Sequence, residues 1–341
     1  MLSERQRQVL KLIVADYVAS AIPVASKNIV ERHRLPVSSA TVRSDMMALE
    51  EEGFITRPHT SGGGIPSDRG YRYYVDSLLE EAPLPAAQRF TIRRQFQELG
   101  PEWDAWCQAA AGALAKLGHN AAVVTAPRAP EAHVRQVQLI ALQETLALLV
   151  LVLQEAKLKQ QLFPLPSSTP DDLTHASNRL TRHLAGHNRF EIAAITVSWS
   201  ELEAAAIQAV LRLLKEEDER SRRAAYVDGL RHILSQPEFS SGERAREVVE
   251  AFEERDSLAG LVVELTESRA LNVVIGDEMP RDALRQCGVV VASYGWPGEV
   301  SGTLGIVGPT RMDYSHAIAT VRFLRDLLDE LLSSLHSGQH N

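Results

Sequence analysis

The 341-residue sequence predicts an α+β protein in which helices and antiparallel strands alternate in blocks along the chain. Three observations carry that prediction. Residues 3–52 hold apolar side chains at helical spacing in three blocks, broken at Pro23 and at Leu35-Pro36-Val37. From His133 the apolar period changes to two, through Val134, Val137 and Leu139, then Leu146 to Leu153, then Leu158 to Phe163. Leu271 to Ile275, Gly288 to Tyr294 and Val300 to Val307 repeat that strand pattern. Between the two sets of strands, Asp171 to Phe252 is mostly helical and rich in charge.

Taken in order, the first helix opens at Ser3-Glu4, aligns Val9, Leu12, Ile13, Tyr17 and Val18, and ends near Ser20. Ser26 is the expected N-cap of a short second helix through His33, with Ile29 and Val30 inward. Leu35-Pro36-Val37 is the turn, because proline disfavours helix in the residue before it. Ser38 or Ser39 caps a third helix that runs to about Glu52, with Val42, Met46 and Leu49 inward and Thr41, Arg43 and Ser44 opposite. Gly53 is a left-handed stop. Phe54-Ile55-Thr56 is short and β-prone. Arg57 to Ile65 is a loop whose Gly62-Gly63-Gly64 could approach a phosphate backbone with amides free to donate. Pro66-Ser67-Asp68 starts a helix carrying Tyr71, Tyr73, Tyr74 and Val75. This order predicts a winged helix-turn-helix, which sets its third helix in a DNA groove and its loop, the wing, on the backbone.

The net charge of −8 disfavours nucleic acid only as an average. Residues 1–74 carry +2, from ten basic and eight acidic residues, while the remainder carries −10. Phosphate binding needs a local basic face, and an acidic body repels DNA from other surfaces. No positive flank and apolar run mark a signal peptide, and Leu146 to Leu153 is too short to span a bilayer, so no membrane partner is expected. Cys107 and Cys287 stand alone, without a CxxC, which suits a reducing cytoplasm and argues against a zinc ribbon.

Glu80 to Pro85 reads as a linker, Ala86 to Leu99 and Trp103 to Leu117 as helices, and Asp313 to Leu332 as a final helix with Ile318, Val321, Leu324 and Leu328 inward. His183 and His187, with His175 two turns earlier, have metal-compatible spacing, but Gly186 interrupts the helix and surface histidines are the better account. Gly295, Gly298, Gly302, Gly305 and Gly308 run through an expected hairpin rather than from a strand into a helix, so turns and bulges explain them better than a nucleotide. Asp277-Glu278 and Asp171-Asp172 have nothing to set their pKa values apart, and no nucleophile motif is present. Asp313 reads as the cap of the final helix. The sequence therefore predicts no enzyme, no cofactor and no metal.

Pro36-Val-Ser-Ser-Ala-Thr-Val-Arg43, Leu49-Glu-Glu-Glu-Gly-Phe54, Pro58-His-Thr-Ser61 and Ile65 to Asp76 (IPSDRGYRYYVD) resemble the bacterial heat-inducible transcription repressors of the HrcA family. Leu234 to Phe239 (LSQPEF) and Gly305 to Tyr314 (GIVGPTRMDY) look like two further signature stretches of that family, so the resemblance covers essentially the whole chain. It implies a winged-helix DNA-binding domain over 1–79 and a linker and helix over 80–102. It implies also a GAF-like domain in two parts, 103–166 and 241–341, interrupted by a mostly helical dimerisation domain over 167–240. The implied function is repression of chaperone operons by a homodimer on an inverted-repeat operator, released on heat stress and dependent on a chaperonin of the GroEL type. Ser38, Ser39, Thr41, Arg43 and Ser44 would read bases or anchor phosphates, Arg57, His59, Thr60 and Ser61 would touch the backbone through the wing, and Lys27 and Arg72 complete the expected DNA-contacting set. Gly62-Gly63-Gly64 stands where the family usually has Ala-Gly-Arg, and Ser44-Asp45 where it usually has Asn-Glu. From another class, the GAF-like domain would bind a small effector and make DNA affinity answer to a metabolite.

Overall fold

The computed structural model describes residues 2–338 apart from 59–61, 81–82, 101, 128–130, 144–145, 155–156, 165–168, 224, 240–241, 254, 267–270 and 297–299. Mixed helices and antiparallel sheets make it an α+β fold. The N-terminal segment consists of α1 (Glu4–Ser20), α2 (Ser26–His33), α3 (Ser39–Glu51), the two-residue strands β1 (Ile55–Thr56) and β2 (Ile65–Pro66), and α4 (Asp68–Tyr73), which continues as a π-helical turn over Tyr74–Leu78. Its core is Val9, Leu10, Ile13, Val14, Ile29, Val42, Met46, Leu49, Phe54, Ile55 and Tyr71, all buried. The apolar stripe of α1 is thus Val9, Leu10, Ile13 and Val14. Leu12, Tyr17 and Val18 are only half-buried, because α1 packs against α2 and α3 and a single-stripe reading centred one position off. Ser26 is the first helical residue of α2 rather than its cap; Ala25 occupies the cap position and offers no side-chain acceptor.

The chain continues through α5 (Ala86–Glu98), α6 (Trp103–Gly118) and β3 (Ala121–Thr125), then β4 (Val134–Gln143), β5 (Leu146–Leu153), β6 (Leu158–Pro164), α7 (Pro170–Leu184), α8 (Arg189–Ala194) and α9 (Glu201–Arg223). It ends with β7 (Ala225–Asp228), α10 (Leu230–Leu234), α11 (Gly242–Glu253), α12 (Arg255–Glu264), β8 (Leu271–Ile275), β9 (Cys287–Trp296), β10 (Val300–Pro309) and α13 (Tyr314–Gly338). Two compact units result. One comprises Met1–Pro127, Ala225–Gly295 and Gly302–Asn341; the other comprises Arg128–Ala224 and Trp296–Ser301.

In the first unit the sheet order is β7-β3-β10-β9-β8. Strands β3 and β7 carry no alternation that a sequence reading would detect. All five residues of β3 are buried, since α6 packs against it and α10 and α12 also contact it, so Ala-Ala-Val-Val-Thr lacks a polar face. The core beside β3 and β9 gathers Ile233, Phe239, Phe252, Leu258, Leu261, Met279, Leu284 and Val289. Asp313 caps α13, accepting the His316 amide at 3.1 Å, as the sequence suggests.

In the second unit β4, β5 and β6 form their own antiparallel sheet, with Leu149 of the central strand opposite Leu139 on one side and Gln161 on the other. Among the described residues these strands pair with one another and not with β8–β10. The sequence groups them with the later strands because period two identifies a strand but not its neighbour. Val137, Leu139, Leu149, Leu151 and Phe163 instead bury against α7 and α9, and this compact unit starts near residue 128. Helix α7 also covers the open edge of β4. The Val137 and Leu139 amides donate to the hydroxyls of Thr181 (3.0 Å) and Ser177 (2.9 Å). The opposite sheet face presents Ile140, Leu142, Leu158 and Leu162, which are 40–55% exposed.

Candidate nucleic-acid interface

Helix α3 is closed at both ends by local chemistry. The Ser38 hydroxyl accepts the Thr41 amide at 3.1 Å and lies 2.9 Å from the Thr41 hydroxyl. At the other end Gly53 takes φ +76, and the Gly53 and Phe54 amides donate to the carbonyls of Glu50 (2.9 Å) and Leu49 (2.8 Å). That is a Schellman motif, with Phe54 and Leu49 both buried beneath it. Val42, Asp45, Met46 and Leu49 face the core, which leaves Ser39, Ala40, Arg43, Ser44 and Met47 exposed and Thr41 half-buried.

Two buried carboxylates cross-link α1 to the helices that follow it, one of them on α3 itself. Asp45, which with Ser44 stands where the family usually has Asn-Glu, is turned inward and 5% exposed. It accepts a bidentate pair from Arg5 (2.7 and 3.1 Å) and ties α1 to α3. Asp16 accepts Arg32 at 2.9 Å and lies 3.1 Å from His33 Nε2, tying α1 to α2.

At the base of the loop, Ile55 pairs with Pro66 and Thr56 with Ile65. Gly64 and Val24 exchange both backbone hydrogen bonds at 2.9 Å, so the Gly64 amide is already spent. A Cβ on Gly63 would stand 2.5 Å from the Pro23 carbonyl carbon, and one on Gly64 would stand 2.9 Å from Ile55 Cδ1. These two glycines admit the chain between α1 and α2 to the ribbon, and of their amides that of Gly64 is committed to Val24. His59, Thr60 and Ser61 lie outside the described residues.

Pairing sorts the basic residues of this segment. Arg57 is 12% exposed and ion-paired with Glu50 at 3.1 Å, so it folds onto α3. Arg72 reaches the other way: it pairs with Glu278, donates to the Val273 carbonyl at 2.7 Å, and contacts Asp76. It joins α4 to the β8 end of the same unit, beside the Asp277 amide donating to Asp68 at 2.9 Å, so its guanidinium is engaged within the fold. Lys27 is 75% exposed with Glu31 at 3.6 Å, a loose surface pair. Arg7 pairs with Glu4, Lys11 with Glu80, and Arg69 lies over the Phe54 ring at 4.7 Å. Among the described residues 2–74, Arg34 and Arg43 are the exposed cations left without such a partner. Arg34 sits in left-handed conformation (φ 50) at the end of α2, immediately before the turn into α3. Residue-type reasoning did not single it out.

The other candidate sites are placed as follows. His183 stacks edge-on against Trp199 at 5.5 Å, and His187 Nδ1 lies 3.1 Å from the Ala185 carbonyl. Asp172 completes a capping box with Thr169. Both cysteines are buried, and burial pushes the Cys287 thiol up to about 12, far from a reactive thiolate at neutral pH. Among the described residues no helix is long and apolar enough to cross a membrane.

Known proteins give this arrangement a class. The HrcA protein C-terminal domain model matches residues 104–318. The heat-inducible transcription repressor HrcA of Chloroflexus aurantiacus is 42% identical, over 98% of this chain and 95% of the relative. Those of Roseiflexus castenholzii and Dehalococcoides mccartyi strain 195 are 37% and 36% identical, each over 98% of this chain and at least 96% of the relative. The crystal structure of a hypothetical protein shares the fold, with a TM-score of 0.60 at 23% identity, covering 98% of this chain and 99% of that one. The class is the transcription repressors. The chain belongs to the HrcA family of heat-inducible transcription repressors.

Proposed function

We propose that residues 1–79 act as a winged helix-turn-helix that binds an inverted-repeat operator of chaperone operons. In this reading α3 enters the major groove, with Arg43 on base edges and Arg34, Ser38 and Ser39 on phosphates, and the 57–64 loop lies along the backbone as the wing. One observation carries it: the exposed cations left without a partner flank and line the outward side of one capped helix, which Asp45 cross-links to α1 as Asp16 cross-links α2. Lys27 adds a cation whose surface pair exchanges readily with phosphate. Arg57 and Arg72 hold structure and are not assigned DNA contacts.

The protein works as a homodimer in the cytoplasm, matching two-fold operator symmetry. The apolar sheet face with Ile140, Leu142, Leu158 and Leu162 supports association with a second copy, since exposed apolar patches on soluble chains mark interaction surfaces. The same face, uncovered in a monomer, offers a surface of the kind a GroEL-type chaperonin holds, so repression tracks chaperonin supply and lapses on heat stress. The Gly295–Pro309 glycines and the paired acids suggest no catalysis in this scheme.

The test is fluorescence anisotropy of the purified full chain on a palindromic chaperone-promoter duplex and a scrambled control, across a salt series, with and without chaperonin. Operator-selective binding that weakens steeply with salt and rises with chaperonin is the expected result. Equal affinity for both duplexes would overturn the assignment.

A further inference from the structure

We propose that Met47 is a specificity-determining residue that reads a thymine through its C5-methyl group. The inference rests on α3 being the groove-inserted helix. Met47 is 50% exposed, although its neighbour Met46 is 3% exposed and fills the core. A single exposed methionine means little by itself; its position carries the weight. Ala40, Arg43, Ser44 and Met47 recur at helical spacing and form the outward ridge of α3. Met47 lies one turn beyond Arg43, about 6 Å further along the axis. A guanidinium on a base edge therefore brings the thioether to the neighbouring base pairs.

Charge limits how far the contact extends. Past Met47 the helix carries Glu50, Glu51 and Glu52, of which Glu50 is occupied by Arg57. Carboxylates that close to phosphates and purine acceptors are repelled, so Met47 is the last outward residue of α3 a polyanion tolerates.

The chemistry then selects the base. Major-groove edges offer donors, acceptors and one apolar group, the thymine methyl. A methionine has no donor and only a weak acceptor. Against a cytosine amino group or a guanine carbonyl it would strip water and return nothing. Against the thymine methyl it buries apolar surface on both sides, and its flexible, polarisable chain adjusts to the step. The geometry thus points to an A·T preference at one position per half-site, beside the pair Arg43 contacts.

The experiment replaces each operator thymine singly by deoxyuridine, which deletes only the methyl group. Affinities are measured for wild type, Met47→Ala and Met47→Leu, with melting curves to verify folding. For wild type one thymine in each half-site should matter, by about three- to tenfold, as one buried methyl group predicts. Met47→Ala should bind the thymine and uracil duplexes alike at that position, while Met47→Leu should keep the discrimination. Indifference of wild type at every thymine, or an unchanged uracil penalty in Met47→Ala, would overturn the inference. A scrambled duplex and Arg43→Ala accompany the series. If wild type does not prefer operator over scramble, operator binding itself fails. If it does, and Arg43→Ala removes the preference while the methyl effect is absent, only the role of Met47 falls.

Discussion

Arg43 and Arg34 carry the same charge from different backbone positions, and the difference separates their effects. Arg43 projects from the outward ridge of a capped helix, where a guanidinium can meet a base edge with two donors. Arg34 projects from a left-handed residue before the turn, which on the proposed docking faces the sugar-phosphate chain rather than the bases. Arg43→Ala is therefore expected to weaken operator binding by about 1–3 kcal/mol and to relax preference at one base position. Arg34→Ala should weaken binding to every sequence alike and reduce the slope of log K against log salt by about one. Titrations on operator variants at several salt concentrations distinguish the two, and a uniform loss for Arg43→Ala would make it a phosphate contact. Arg43 was open to discovery in the sequence, because no acid stands at i±3 or i±4 from it, whereas Arg34 has Glu31 three residues earlier and its freedom shows only in the fold. Arg57 and Arg72 were not open to it either: what occupies them, Glu50 on α3 across the Gly53 stop and Glu278 some 200 positions on, is decided by how the chain folds back.

Local elements were legible wherever a single stretch of chain settles its own geometry. Ser38 and Gly53 bracket α3 through bonds within three to five residues, and Asp313 caps α13 in the same way. The loop glycines were misread for the opposite reason, since their partner is Pro23-Val24, forty residues earlier. That contact ranks their substitutions. Gly63→Ala drives a methyl group into the Pro23 backbone, which cannot step aside, and should destabilise the N-terminal segment by about 1–3 kcal/mol. Gly64→Ala meets the movable ends of Ile55 and Met46 and should cost less. Chemical denaturation followed by Tyr fluorescence orders the two variants, and the reverse order would mean the ribbon does not pack here. Strands β3 and β7 were hidden by the same non-locality. Burial on both faces of β3 removes the alternation that marks a strand, and β7 is recognisable chiefly by pairing with it. Sheet membership of β4–β6 was likewise beyond period-two reasoning, which fixes faces and leaves partners open.

At the scale of the molecule, control of the N-terminal segment, proposed above to read DNA, depends on how firmly it is held within its own compact unit. The seam between α4 and the end of β8 is polar: Arg72 bridges Glu278 and the Val273 carbonyl, and Asp68 accepts the Asp277 amide. Burial, opposed by that amide and reinforced by the charges of Asp277 and Glu278, raises the Asp68 carboxyl above its ordinary value. The native seam therefore holds a proton on Asp68 more tightly than the unfolded chain does. Its contribution is fully present below the usual carboxylate range and is lost as pH rises through the raised native value. Asp68→Asn, which keeps an oxygen for the Asp277 amide and removes the charge, should accordingly raise the melting temperature at neutral pH. The gap from wild type should close on acidification. Arg72→Ala acts oppositely, removing the ion pair from Glu278 and the side-chain donor from the Val273 carbonyl, and should lower stability by about 1 kcal/mol after allowance for partial exposure. Amide hydrogen exchange in α4 and β8 reads both effects at the seam, with faster exchange in Arg72→Ala and slower exchange in Asp68→Asn at neutral pH. A loosened α4 permits more orientations of α3, so Arg72→Ala should also tolerate half-site spacings that wild type rejects. If exchange at α4 is unchanged in both variants, the seam does not anchor the N-terminal segment and its orientation is set by the apolar packing of Tyr71 against Tyr314.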